Sequence, residues 1–334
     1  MNRPRRILSI DGGGIRGLIP AVLLESLEAA TGHPAREAFD FVAGTSTGAV
    51  LAGGVAAGFS GEQLASLYRR RGPELFRQIP VLGTLRRLAT GQLYDVGRLH
   101  AMIAEELGDR AAWRINDVPS DILITAKALD DGHQWYFVKD RPGFNRARTG
   151  HLNLVDCLTA SAAAPTYFAP WSIEGLGLLV DGGTGVAGNP VYQACVEAFE
   201  YTEAYRPEDT IVVSLGTGRF FDRRRPTWLW PWVQWVLSEL LRSPGEQQTE
   251  LVERHYPATR FYRIDVRLPN DIPLDAMGSK LDQLEEIARN LAELVDWPTI
   301  LAGGDSEWAV TPRTVGATAY ARDIAGPDGR ASRM

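Results

Sequence analysis

Two short apolar runs near the start of the chain each end abruptly in glycine. Ile7-Leu8-Ser9-Ile10 stops at Asp11-Gly12-Gly13-Gly14-Ile15-Arg16-Gly17, and Phe41-Val42-Ala43 stops at Gly44-Thr45-Ser46-Thr47-Gly48. Apolar runs of this length broken by glycine read as buried strands that turn sharply. Between them Val22, Leu23, Ser26, Leu27 and Ala30 recur at helical spacing, which predicts a helix over 18–30. Residues 49–57 are small and helix-compatible, with Gly53 and Gly54 weakening that pattern. Two strand–turn–helix units in sixty residues predict a layered α/β fold.

Further along, Asp121–Ala126 and Trp135–Val138 read as paired strands around an Asp130-Asp131-Gly132 turn, and Thr210–Leu215 as a buried strand ending in Gly216-Thr217-Gly218. Leu281, Leu284, Ile287, Ala288, Leu291, Leu294 and Val295 trace one face of an amphipathic helix. With no linker, repeat or low-complexity segment in evidence, one domain is expected over 5–300, its core motifs within 5–200. Residues 301–334 are expected to form a C-terminal extension, loose from about Arg322.

Composition narrows the function classes. Hydrophobic residues make up 45% of the 334 and charged residues 23%, ordinary globular usage that disfavours disorder and membrane-spanning chains. The net charge of -6 gives no reason to expect a nucleic acid polymer as partner. Cys157 and Cys195, without CxxC or nearby histidine, support neither a disulfide framework nor a zinc site, and no metal or cofactor is expected. The residues preceding Asp11 are too short an apolar run for a signal peptide or a spanning helix, so a cytoplasmic chain is expected.

Gly44-Thr45-Ser46-Thr47-Gly48 fits G-x-S-x-G, in which flanking glycines let a serine sit on a sharp strand-to-helix turn with its hydroxyl open to substrate. By itself the pentapeptide is a weak signal that a structural glycine-rich turn also produces; the strand before it and the helix after it give it weight. Gly12-Gly13-Gly14 leaves consecutive N–H groups exposed after a strand, which suits an oxyanion hole. The same loop fits the dinucleotide pattern G-x-G-x-x-G. That reading needs an acidic residue at the end of the second strand. Glu37 and Asp40 precede that strand, and Gly44 and Ser46 occupy its end. Asp181-Gly182-Gly183 follows the apolar run Leu176–Val180 and, alone, would read as a turn. A serine nucleophile needs a base, however. Of His33, His100, His133, His151 and His255, only His255 follows Asp181 as in Ser–Asp–His hydrolases, and it lies in the polar stretch Glu253–Pro257.

Taken in order, Asp11–Gly17, Gly44–Gly48 and Asp181–Gly183 resemble the signature of patatin-like phospholipases. Ala160–Phe168 and Ser214–Gly218 are supporting matches, and the likeness extends over roughly residues 5 to 300. The resemblance implies a three-layer α/β/α fold with a central mostly parallel sheet. It also implies a Ser46–Asp181 dyad, an oxyanion hole at Gly12, Gly13 and Gly14, and motif support from Arg16, Gly17, Gly44, Gly48, Gly182 and Gly183. Arg16 is expected to be structural, with a phosphate contact as the alternative. The implied substrates are phospholipids or lysophospholipids; a small-molecule carboxylesterase with His255 as base is the second enzymatic reading, and a nucleotide-binding module the non-enzymatic one.

Two segments suggest membrane contact or gating. Residues 226–237 hold four of the nine tryptophans directly after Arg223-Arg224-Arg225, a composition suited to a lipid–water interface. The glycine- and proline-punctuated stretch Gly72–Gly91 reads equally as a cap or a helical hairpin. Transient peripheral membrane association is therefore expected. Some bacterial family members are antiphage effectors switched on by cyclic nucleotides, so the resemblance also admits a small-molecule activator, although the sequence identifies no nucleotide pocket. Oligomeric state is left open.

Overall fold

The computed structural model describes residues 3–76, 92–143, 148–220, 227, 232 and 245–310. Strands β1 (Arg5–Ile10), β2 (Phe41–Gly44), β3 (Asp121–Ala128), β7 (Thr210–Leu215) and β8 (Arg260–Ile264) form a parallel array in the order β3-β2-β1-β7-β8. Three antiparallel strands complete the sheet: β4 (Gln134–Val138), β5 (Trp171–Ile173) and β6 (Gly177–Asp181).

Alternation along the strands builds two cores. Leu8, Ile10, Val42, Ile122, Ile124, Val213, Leu215 and Ile264 face one side. There they pack under α1 (Leu18–Thr31), α3 (Thr47–Ala57), α4 (Gly61–Leu75), α5 (Val96–Leu107), α6 (Leu154–Ala162), α8 (Ser279–Glu293) and α9 (Trp297–Leu301). The short α2 spans Ala35–Ala38. Ile7, Phe41, Ala43, Leu123, Val212 and Phe261 face the other side, under α7 (Val191–Glu200) and the helical run 245–255. Period-two alternation of apolar residues on both faces is what a sheet sandwiched between helices requires. The architecture is three-layer α/β/α.

The predicted elements at 18–30, 41–43, 49–57, 121–126, 135–138 and 210–215 are present, and the amphipathic pattern at 281–295 is α8. β8, with only three buried positions, carried no periodic signal. The chain on both sides of the expected boundary near residue 300 is tied into the body. Trp297 is almost fully buried and its Nε1 donates to Ser26 Oγ at 2.8 Å. The following chain returns to β8, where Arg263 N–H donates to Trp308 C=O at 2.9 Å and Val310 N–H to Phe261 C=O at 2.8 Å. Backbone pairing and a buried indole thus bring residues up to 310 into the body; residues 311–334, including the tail from Arg322, lie outside the described residues.

Trp297→Ala should lower the unfolding free energy by about 3–5 kcal/mol, as large-to-small changes at full burial do. Urea denaturation measures it, and a loss within experimental scatter would mean that this segment is peripheral after all.

Candidate active site

Two strands that run in opposite directions share one edge of β3. Its other edge is taken by β4, which pairs with Leu123–Lys127. On the shared edge β2 pairs in parallel with Asp121–Ile124, and β6 pairs antiparallel with Ala126–Ala128, Asp181 opposite Ala126. The C-terminal ends of β2 and β6 therefore meet head to head. Ser46, two residues past the end of β2, and Asp181, the last residue of β6, are brought together by that register.

Ser46 has φ 57° and ψ -124°, one of two non-glycine residues with positive φ among the described residues. Such a backbone is held only when its surroundings over-determine it. Here Ser46 N–H donates to Ser161 Oγ at 2.9 Å, from the buried face of α6. α3 starts at once, with Gly48 N–H bonded to Thr45 C=O at 2.8 Å. A side chain on Gly48 would collide with the Ile10 carbonyl, and one on Gly44 with Gly48 itself. The turn therefore needs glycine at both places. Gly17 packs on Thr47 and Tyr68, whose hydroxyls are hydrogen-bonded to each other.

Asp181 is 5% exposed and Ser46 9%. The Ser46 hydroxyl lies near enough to the Asp181 carboxylate to favour its charged form, and Gly183 N–H donates to its Oδ1 at 2.7 Å. Burial pushes the Asp181 carboxyl up to about 6, outweighing both contacts, which favour the charged form. Gly182 packs against Thr125, and the Thr125 hydroxyl shares a 2.7 Å hydrogen bond with that of Thr45.

The glycine loop lies over the serine. A methyl built on Gly12 would stand 3.3 Å from Ser46 Cβ. Gly12 N–H, however, donates to Gly188 C=O at 2.9 Å, and Gly12 C=O accepts from Thr217 Oγ1 at 2.7 Å. Of the three glycines expected to donate to an oxyanion, Gly12 is thus already engaged. Gly13 and Gly14 N–H meet no protein acceptor among the described residues. Gly14 holds φ 57°, and the next N–H, of Ile15, is tied to Leu274 C=O at 2.7 Å. Arg16 reaches the carbonyls of Gly13 and Gly218 at 3.4 and 3.5 Å, bracing the loop. Two open amides beside a serine and a buried carboxylate can stabilise the oxyanion of an acyl transfer.

The histidines are elsewhere. His255 is exposed and its Nδ1 is bonded to Tyr192 OH at 2.6 Å, across the outer surface of α7. His100 pairs with Asp156 and stacks on Trp171. Asp40, the acidic residue weighed for a ribose, is bound by Arg3 and Arg5. Asp181 N–H donates to the Ala163 carbonyl, and further along that segment Phe168 packs in the core with Tyr94 and Phe76, the Tyr94 ring centroid 5.8 and 5.2 Å from theirs. Of the expected gating segments, Gly72–Gly91 is described only to Phe76 and 226–237 only at Thr227 and Trp232, the latter 47% exposed. The rest of each lies outside the described residues.

Sequence reasoning missed Ser161, Thr125, Gly188, Thr217 and the ion pair of Asp11 with Arg263. Ser161 and Thr217 sat inside matched motifs without an assigned role. Arg263 had no local signal, since its partner is 252 positions away.

The sequence signature described as "Patatin-like phospholipase" matches residues 8–195. The chain is 31% identical to the cGAMP-activated phospholipase of Vibrio cholerae serotype O1, across 86% of this chain and 90% of that one. A protein of the same name from Escherichia coli is 32% identical over 65% of this chain and 63% of its own length. Human calcium-independent phospholipase A2-gamma is 29% identical across 84% of this chain, which spans 37% of the human protein.

A carboxyl raised in the folded state adds stability only below its unfolded value, and that stability is lost as pH climbs through the folded one. Asp181→Asn should therefore be more stable than the parent at pH 8, by an amount on the order of 2–3 kcal/mol, and indistinguishable from it near pH 4. Melting curves over that range test the sign; a variant less stable at pH 8 would show that burial does not govern Asp181.

Proposed function

The chain belongs to the patatin-like phospholipase family, and on that premise we propose that Ser46 is its nucleophile and Asp181 its general base. The family's reaction is hydrolysis of lipid acyl esters. In this reading Ser46 Oγ attacks the ester carbonyl while its proton passes to Asp181. The tetrahedral oxyanion is held by Gly13 and Gly14 N–H, donors already fixed before charge develops. Collapse expels the lipid alcohol, which takes the proton back from Asp181. Water then repeats the sequence on the acyl-enzyme and releases the fatty acid.

The observation that carries the assignment is the buried approach of Asp181, at the end of β6, to Ser46 at a strained strand-to-helix turn. An ordinary aspartate, with a pKa of about 3.9, is a feeble base for a hydroxyl; one at about 6 is better matched and still ionised at pH 7.5. The engagement of His255 by Tyr192 weighs against the esterase reading with a histidine base.

Lipid is proposed to be met at the surface. Among the described residues no helix is long and apolar enough to cross a membrane, and the Trp- and Arg-rich segment 226–237 supplies interfacial chemistry. Regulation by a small molecule is the second element of this reading. It rests on the 31% identity with a Vibrio cholerae protein whose name records activation by cGAMP.

Wild type should take a fluorophosphonate label, and Ser46→Ala should not. Asp181→Asn should lower turnover of phospholipid vesicles by about 10²–10⁴-fold, and kcat/KM of the parent should fall below pH about 6 as Asp181 protonates. Full activity in Asp181→Asn together with loss in His255→Ala would reverse the assignment. Addition of cGAMP to the vesicle assay should raise the rate by about tenfold or more; a flat dose response would remove that activator while leaving the dyad standing.

A further inference from the structure

Asp11 directly follows β1 and precedes the glycine loop. Its carboxylate receives both terminal nitrogens of Arg263, on β8, at 2.9 and 2.6 Å. Arg263 also donates to Ser214 Oγ at 2.7 Å and to Asp265 Oδ2 at 3.0 Å. Asp265 in turn accepts Gly218 N–H at 3.0 Å and Val266 N–H at 2.9 Å, and meets Arg219 Nε at 2.8 Å. Arg219 closes the series on Glu246 at 2.7 Å. From Glu246 to Asp11 the charges alternate, and side-chain exposure runs 64, 36, 4, 12 and 13%.

A second connection joins the same two places. Asn189, fully buried, donates to Gly245 C=O at 3.3 Å and Thr249 Oγ1 at 3.4 Å, and the neighbouring Gly188 C=O takes the Gly12 N–H. Both connections start in the first turns of the 245–255 run and end on Asp11 and Gly12.

We propose that Arg263 is the positioning residue of the oxyanion loop, acting through Asp11 and Asp265, and that this chain of charges makes the loop's setting depend on the first turn of the 245–255 helix. The inference rests on the Ser46–Asp181 reading above. Gly12, Gly13 and Gly14 have no side chains with which to anchor themselves, yet amides that serve an oxyanion must be held to about half an ångström. Asp11, one residue before the loop, has the side chain that can be gripped. A guanidinium grips both its oxygens in one plane while the contacts to Ser214 and Asp265 fix the guanidinium itself. A lysine ammonium keeps the charge and loses that geometry. Buried ion pairs are weak contributors to stability, so a five-member series leading to a loop is better understood as fixing position.

The test is Arg263→Lys in the full chain, with fold verified by circular dichroism and melting. Expected are a kcat lower by about 10- to 100-fold, KM within about twofold, and an acid limb still near pH 6. Affinity for a trifluoromethyl ketone, which presents an oxyanion, should weaken in step with kcat. A folded Arg263→Lys with unchanged kcat, or with its whole loss in KM, overturns the proposal. Should that variant fail to fold, Glu246→Lys at the exposed end decides. It should lower kcat by about threefold at low salt and recover above about 0.5 M salt, where surface charge is screened; no change in kcat overturns the proposal. Ser46→Ala run in parallel separates the two readings. Its retained turnover would sink the dyad, whereas an inactive Ser46→Ala beside an undiminished Arg263→Lys sinks only this inference.

Discussion

The approach of Ser46 to a carboxylate withdrawn from water sets the conditions that the rest of this fold meets. Burial makes Asp181 basic enough to take a hydroxyl proton, and the same burial makes its charged form costly to keep. Solvent would lower the pKa towards the ordinary carboxylate range, and an added cation nearby would do the same. The structure instead supplies Gly183 N–H and the Ser46 hydroxyl, enough to hold the carboxylate in place while leaving burial as the larger influence.

Geometry follows from strand direction. In a wholly parallel sheet all strand C-termini lie along one edge, side by side. Here β6 runs against β3 and delivers Asp181 from the opposite direction, into the space that opens where β2 ends at Gly44. A short acid can then reach a serine directly, without an imidazole to span the gap. Because side chains alternate with period two, slipping β6 by one residue would present Val180 in place of Asp181. The pairing of Asp181 N–H with Ala163 C=O and of Leu129 N–H with Leu178 C=O pins that register at both ends of β6.

What could be seen in the sequence was local. A serine between glycines after Phe41–Ala43, a glycine run after Ile7–Ile10 and an aspartate after Leu176–Val180 each carry their environment in neighbouring residues. The Ser46–Asp181 association and the surrounding layers followed from a family likeness. What stayed hidden depends on partners distant in sequence. Ser161 supports Ser46 across 115 positions and Arg263 supports Asp11 across 252, and neither an isolated serine nor an arginine in a strand advertises such a partner. Gly12 misled for the same reason: exposed amides can be inferred from glycines, but the Gly188 carbonyl that takes one of them is fixed only by the tertiary fold. The attachment of residues 308–310 stayed hidden because Phe261 and Arg263, their backbone partners, lie on β8, a strand with no periodic signal.

The bond from Gly12 N–H to Gly188 C=O closes a ring. From Asp181 the chain runs through Gly182–Gly188 to Gly12, and the glycine loop leads back over Ser46. Asp181, Ser46 and the amides of the glycine loop therefore share degrees of freedom, and none of the three can be displaced without dragging the others. Errors in such a loop are correlated, so the site has few half-assembled states: the enzyme should lose competence in one step, as a mechanical linkage jams, and not by gradual erosion.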